Sequence, residues 1–256
     1  MGGGILEERF VLRRGGMDIP CCLTASGTVR RVVLGVHGFG GSKEDPIQKD
    51  LAEEMALFSG AAFRFDFPAH GESPVEALTL EGCIDTLVAV AEETKARYPQ
   101  VADLCLFATG FGAYVTLLAL PKLLALPGSL RLVLQTPSVR MDETLLAMTG
   151  LTRETFWALD RYRIPTPRPL DVTYAFYESL RDHSAMTAVP IPMLILHGEA
   201  DDYIRTEDVK LFQQLNDQAE LLIIPGATHR FLEEGAWDMV VDLTRDWFEF
   251  EQVLLM

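Results

Sequence analysis

The sequence predicts an α/β fold on a mostly parallel, doubly wound sheet, and three observations lead there. Continuous apolar runs of strand length recur along the chain, such as Val32-Val33-Leu34-Gly35-Val36 and Leu104-Cys105-Leu106-Phe107-Ala108. Runs without polar alternation belong to strands buried on both faces. Stretches with apolar residues at helical spacing separate them, and strands alternating with helices make a parallel sheet joined by right-handed crossovers. Several of the runs stop at loops rich in Gly and Pro, which that topology gathers along one edge of the sheet, where ligands bind.

In chain order, Ile5 to Leu23 reads as two short strands about a turn at Arg14-Gly15-Gly16-Met17. The four residues before them, Met1 to Gly4, are expected to be a loose start. The strand Val32 to Val36 runs into His37-Gly38-Phe39-Gly40-Gly41-Ser42, and a helix with Ile47, Leu51, Ala52, Met55 and Phe58 on one side follows. Ala61 to Asp66 ends in Phe67-Pro68-Ala69-His70-Gly71-Glu72-Ser73. A long helix then carries Leu80, Cys83, Ile84, Leu87, Ala91 and Thr94 on one stripe. Leu104 to Ala108 stops at the small-residue turn Gly110-Phe111-Gly112-Ala113 and resumes as the apolar helix AYVTLLAL. Leu130 to Leu134, Met193 to Leu196 and Leu221 to Ile224 are further strands, with a helix near Thr206 to Leu215 between the last two. The closing helix turns Trp237, Val240, Val241, Thr244 and Trp247 or Phe248 inward.

One stretch breaks the alternation. Val139 to Val189 is too long for an ordinary loop between two core strands. It divides the chain into a core of residues 1–138 and 190–256 and an insertion, 139–189, which reads as a cap over the active edge. Pro165, Pro167 and Pro169 stand at alternate positions in it, and Phe156, Trp157, Tyr162, Tyr174, Phe176 and Tyr177 lie close together. Two readings stand. The aromatics line a substrate pocket, with Trp157, Tyr162 and Tyr174 the candidates, or they pack on one another as a small satellite core.

Composition narrows the function classes. With 48% hydrophobic residues among 256, the chain can bury a large core. A net charge of −15 argues against nucleic acid and against anionic membranes, both of which call for basic patches. No apolar run reaches the length of a membrane span, and MGGGILEERF lacks the basic and apolar regions of a secretory signal. A myristoylated chain would want Ser or Thr where Leu6 stands. Cys21, Cys22, Cys83 and Cys105 form no C-x-x-C pair and read as buried thiols, so a cytoplasmic protein is expected. His37, His70, His183 and His197 show no metal-ligand spacing, and Gly38 to Gly41 is not closed by the Lys-Ser/Thr of a phosphate loop. No metal or cofactor is expected.

Five segments stand in a set order at strand ends: HGFGGSKED, FRFDFPAHGESP, ATGFGAY, LHGEADDYI and PGATHRF. Together, over about residues 30 to 250, they resemble the α/β-hydrolase superfamily, in particular small bacterial feruloyl/cinnamoyl esterases and serine-aminopeptidase-like hydrolases. The strand–turn–helix at Leu104 to Leu120 resembles that superfamily's nucleophile elbow, whose pattern is G-x-S-x-G. Here it reads Ala108-Thr109-Gly110-Phe111-Gly112, so the nucleophile position is Gly110, which has no side chain. The resemblance implies Asp201 as the acid that orients the base, preferred over Asp202 because it fits the HGxxD spacing. It implies His229 as the general base, and the backbone N–H groups of Phe39 and Phe111 as the oxyanion hole.

A glycine at the elbow relieves a strained backbone position while removing the covalent step. Thr109, the nearest hydroxyl, is expected to point away from the elbow tip. Three readings of function follow. The chain is an esterase-type hydrolase of small acyl esters, aromatic ones among them, that is inactive or impaired by Gly110. It is a binding or regulatory protein on a hydrolase scaffold. Or it is a peptidase of the same superfamily, acting on amides. Two accounts of the glycine stand: a change in this copy from a parent that carries Ser, or the residue of a hydrolase-fold protein that has lost acyl transfer.

Overall fold

The computed structural model describes residues 4–58 and 60–249. Of the expected loose start, residues 1–3 lie outside the described residues. The chain opens with an antiparallel hairpin, β1 (Leu6–Arg14) and β2 (Met17–Ala25), whose nine-residue strands are longer than expected. Strand β1 is an edge, and charged Glu7, Glu8, Arg9, Arg13 and Arg14 along it discourage pairing with another chain. Then come β3 (Arg31–Val36), α1 (Pro46–Leu57), β4 (Gly60–Phe65), α2 (Leu80–Arg97), β5 (Asp103–Thr109), α3 (Phe111–Leu123) and β6 (Ser129–Gln135).

The insertion follows β6. It holds α4 (Met141–Thr149), α5 (Arg153–Leu159), a small two-stranded sheet of β7 (Arg161–Ile164) and β8 (Leu170–Thr173), and α6 (Tyr174–Asp182). The core resumes with β9 (Met193–Gly198), α7 (Thr206–Gln214), β10 (Ala219–Ile224) and α8 (Ala236–Glu249). The main sheet has eight strands in the order β1-β2-β4-β3-β5-β6-β9-β10, parallel from β4 to β10.

Alternate residues of each central strand feed two separate cores. Val32, Leu34 and Val36 of β3, with Leu104, Leu106 and Ala108 of β5, join α2, α3 and the insertion on one face. Val33, Cys105, Phe107, Val133, Leu194 and Leu196 join α1 and α8 on the other. This is why those strands read as unbroken apolar runs, since a strand covered on both faces has no solvent side to alternate with. On α8, Ala236, Val240, Thr244 and Phe248 are buried at intervals of four, while Trp237, Val241 and Trp247 pack half-buried at the margin. Among the described residues no helix is long and apolar enough to cross a membrane, and all four cysteines are free and buried.

Candidate active site

The site is assembled by parallel register, which brings the C-terminal ends of β3, β5, β6, β9 and β10 to one edge. The turn after β5 is the sharpest feature there. Gly110 takes φ 48° and ψ −111° and α3 begins at the next residue. A positive φ of this kind is strained for any residue with a Cβ. Gly112 makes the close approach possible, because a Cβ there would collide with the carbonyl oxygens of His37 and Val36 at the end of β3. The turn is tied to β6 as well: the Gly110 N–H donates to the Gln135 carbonyl at 3.0 Å, and the Ser138 N–H donates to the Gly110 carbonyl at 3.2 Å.

The expected acid and base meet. Asp201 lies in the turn after β9, and its Oδ1 accepts from the N–H groups of Tyr203 and Ile204, each at 2.9 Å. Its Oδ2 lies 2.9 Å from Nδ1 of His229, in the loop after β10. The carboxylate is sealed from water, while a quarter of the imidazole is exposed (25%). Burial alone would raise the Asp201 pKa. The hydrogen bond and charge of His229 and the two backbone donors outweigh it and hold the group below its usual 3.8. An ionised carboxylate only accepts, so Nδ1 carries the proton and Nε2 presents a lone pair. Tyr203 packs edge-on against the imidazole with ring centres 5.3 Å apart. Asp202 is exposed.

That lone pair faces the elbow. A Cβ placed on Gly110 would lie 3.9 Å from His229 Nε2. It would also lie 3.9 Å from Oγ of Ser138, a residue the motifs did not single out. Ser138 follows β6, and only the β5–β6 pairing brings it beside the elbow. No sequence pattern marks it.

Neither the Phe39 nor the Phe111 N–H donates to another group among the described residues. Their rings meet edge to face at 5.5 Å, so the side chains pin together the two loops that carry these donors. Thr109, at the end of β5, turns its hydroxyl toward Gly38: a Cβ there would lie 3.3 Å from Oγ1.

The other histidines serve the frame. Nδ1 of His37 donates to the Gly38 carbonyl at 2.8 Å and Nε2 accepts from the Phe67 N–H at 3.1 Å. Nδ1 of His70 donates to the Pro68 carbonyl at 2.8 Å. Burial pushes their pKa values down to about 4 and about 3, so both stay neutral at pH 7. His197 is sealed beneath Asp201, and His183 is tied to the Ser179 carbonyl. No group of three His, Cys, Asp or Glu among the described residues is placed to hold a metal ion.

The aromatics of the insertion divide. Phe156, Tyr174 and Tyr177 are buried with ring centres 5.5–5.8 Å apart, forming a satellite cluster continuous with the main core. Phe176 reaches the elbow, 6.2 Å from the Phe111 ring. Tyr162 is half-buried on β7, and Trp157 is 68% exposed. The turn between β7 and β8 reaches two loops of the core: Thr166 sits against Gly40 in the loop after β3, and Arg168 donates to the carbonyls of His70, Gly71 and Ser73 in the loop after β4. A cleft of about 190 Å³ runs between α4 and the Asp201 turn, lined by Val139, Arg140, Glu143, Tyr203, Ile204 and Asp208 among others, and meets the histidine only through Tyr203. Tyr203 is its single aromatic.

The family model described as the alpha/beta hydrolase family matches residues 33–243. No curated protein matches the chain. Among solved structures, a protein from Agrobacterium vitis S4 superposes with a TM-score of 0.80 at 19% identity, covering 96% of this chain and 100% of its own. Est1E from Butyrivibrio proteoclasticus, with ferulic acid bound, gives 0.78 at 19% identity, with 93% and 97% covered. The mouse alpha/beta hydrolase domain-containing protein 10 gives 0.76 at 13% identity, with 93% and 97% covered. At these identities the likeness concerns the fold.

Proposed function

The chain belongs to the α/β-hydrolase family, and from that premise we propose that it is an esterase-type hydrolase scaffold for small acyl esters whose nucleophile position is held by Gly110. The observation that carries this reading is the 3.9 Å from a Cβ on Gly110 to His229 Nε2, with Asp201 2.9 Å behind the imidazole. A serine hydroxyl, one bond further out, comes within hydrogen-bond reach of the base. The base takes its proton, the oxygen attacks the ester carbonyl, and the Phe39 and Phe111 N–H groups receive the oxyanion. Asp201 holds the imidazole in its tautomer and steadies the cation that forms. With glycine there, this covalent route is closed.

Residues 139–189 act in this reading as the cap, with Thr166 against the loop after β3 and Arg168 bonded to the loop after β4. The aromatic preference rests on Tyr203, which packs against the base, more than on Trp157, Tyr162 and Tyr174. Four free buried thiols suit a cytoplasmic location.

Gly110→Ser tests the reading. The variant is expected to turn over short p-nitrophenyl or hydroxycinnamate esters and to react with a fluorophosphonate probe. It should also lose roughly 1–3 kcal/mol of stability, because serine must adopt φ 48°. A folded variant that neither reacts nor turns over would sink the esterase reading. The glycine itself favours a second reading, a binding protein that keeps the pocket without the chemistry. Tight small-molecule binding by the native chain, with no gain in Gly110→Ser, would support that. Amino-acyl amides in the same screen separate peptidase from esterase.

A further inference from the structure

Ser138 is 2% exposed, yet its hydroxyl has no hydrogen-bond partner among the described residues and is not walled off from open space. Buried hydroxyls rarely go unpaired. This one is aimed at the place where the elbow side chain is missing. Its Oγ and His229 Nε2 each lie 3.9 Å from the point a Cβ on Gly110 would occupy. Ser138 is held there by its own backbone, whose N–H is bonded to the Gly110 carbonyl. The space left by the missing side chain therefore has a base on one side and a hydroxyl on another. Both are at the right range to hold a water just beyond that point, and the N–H of Phe111, the residue after Gly110, has no partner among the described residues.

We propose that the native chain hydrolyses small esters without an acyl-enzyme, by a water held between His229 Nε2 and Ser138 Oγ in the space over Gly110. This rests on the esterase reading above and replaces its covalent route in the native chain. The water oxygen forms the new bond to the acyl carbon as Nε2 takes its proton, and the carbonyl electrons move onto the oxyanion. Collapse re-forms the carbonyl, breaks the bond to the alcohol oxygen, and returns the proton from His229 to that alcohol. One water is consumed, one acid and one alcohol leave, and Ser138 accepts or donates a hydrogen bond throughout without being consumed.

Glycine is what this mechanism needs at position 110, because any side chain there would fill the space for the water. Ser138 is then a catalytic residue in contact with the attacking oxygen. The mechanism also accounts for an intact Asp201–His229 pair in a chain without the usual nucleophile.

The test uses the full native chain with p-nitrophenyl butyrate, beside Ser138→Ala, His229→Ala, Gly110→Ser and the Gly110→Ser/Ser138→Ala double variant. The native chain is expected to turn over slowly, with no burst and no acyl adduct in acid-quenched intact mass spectra. His229→Ala should remove this turnover. Ser138→Ala should lower kcat about tenfold, the size of one transition-state hydrogen bond, with KM moved much less. In the Gly110→Ser background, where a side chain displaces the water, the same substitution should cost several-fold less. Native turnover no greater than that of His229→Ala would overturn the proposal, as would an unchanged kcat in Ser138→Ala. An acyl adduct on Ser138 would overturn it too, by making that hydroxyl the nucleophile. If Gly110→Ser is active while the native chain is silent, this proposal falls alone. If both are silent, the esterase reading falls with it.

Discussion

Asp66 follows β4 and Asp201 follows β9, and both put a carboxylate sealed from water at the same edge of the sheet. Each accepts three hydrogen bonds at 2.7–2.9 Å. Asp66 spends all three on the frame: the Lys43 N–H, the Lys43 ammonium and the Glu72 N–H. The ammonium is buried and goes on to Glu72, while the Lys43 carbonyl takes a bond from buried Arg64. None of these bonds leads to the elbow or to His229. Asp201 spends two bonds on its own turn, and the third runs to a partly exposed imidazole with a lone pair left over. If Asp201 works as proposed, the contrast teaches that burial and hydrogen bonding do not distinguish a structural carboxylate from a working one. What distinguishes them is whether the chain of partners ends on another charged side chain, as at Glu72, or on a lone pair facing the elbow, as at His229.

The network at Asp201 should break in rate. In the Gly110→Ser background, Asp201→Asn is expected to lower kcat about 10⁴-fold, because an amide presents the wrong tautomer to His229 and cannot steady its cation. The folding transition should stay cooperative. Ester kinetics beside thermal melts check this, and a loss confined to stability would place Asp201 with Asp66.

The network at Asp66 should break in stability. Lys43→Met removes the only ammonium beside Asp66 among the described residues and leaves a buried carboxylate unpaired, expected to cost about 3–5 kcal/mol. Urea unfolding measures it. Asp66→Asn added to Lys43→Met should recover much of the loss, since the charge itself is then gone. Catalysis per folded molecule in the Gly110→Ser background should change little.

Much of this was legible beforehand. The parallel sheet could be read because strands feeding two cores leave unbroken apolar runs. That Asp201 and His229 meet could be anticipated from their resemblance to family motifs, and their loops follow strands whose ends the topology gathers. The Lys43–Asp66–Arg64 network could not, since a charged side chain is taken as exposed unless its partners are known, and these come from loops 23 residues apart in the chain. Ser138 was invisible for the same reason, its place being set by the neighbouring strand. On α5, seven residues are too few to show a helical period, so nothing told buried Phe156 from exposed Trp157.

Asp45 is a third carboxylate on this edge and has fewer partners than either. Its Oδ1 accepts one backbone bond, from Ser42 at 3.1 Å. Burial, helped by the nearby Asp66 charge and opposed only in part by that bond and the Arg230 charge, pushes its pKa up from 3.8 to about 6. The folded chain thus holds a proton that the unfolded chain gives up between about pH 4 and pH 6. Stability therefore falls as pH rises through that window and stays lower above it. Asp45→Asn keeps the acceptor and removes the charge. It should raise stability by up to about 3 kcal/mol at pH 8 and add little at pH 4, read from urea midpoints at both. A gain that does not depend on pH would mean the effect is packing and not charge.

The smallest effect tests where the Asp66 network ends. Glu72 lies 2.7 Å from the Lys43 ammonium, but its side chain is 66% exposed, so water screens the pair and can replace either partner. Such pairs contribute about 0–1 kcal/mol. Glu72→Gln leaves the backbone N–H that donates to Asp66 untouched, so the buried half of the network survives the substitution. The urea midpoint should move by less than about 1 kcal/mol equivalent, the shift should shrink further in salt, and it should vanish when Lys43→Met is already present. A loss approaching that of Lys43→Met would show that the ammonium is held from the surface and not by Asp66. The network would then depend on its exposed outer end, as the one at Asp201 does, and the difference between the two carboxylates would rest on the imidazole alone.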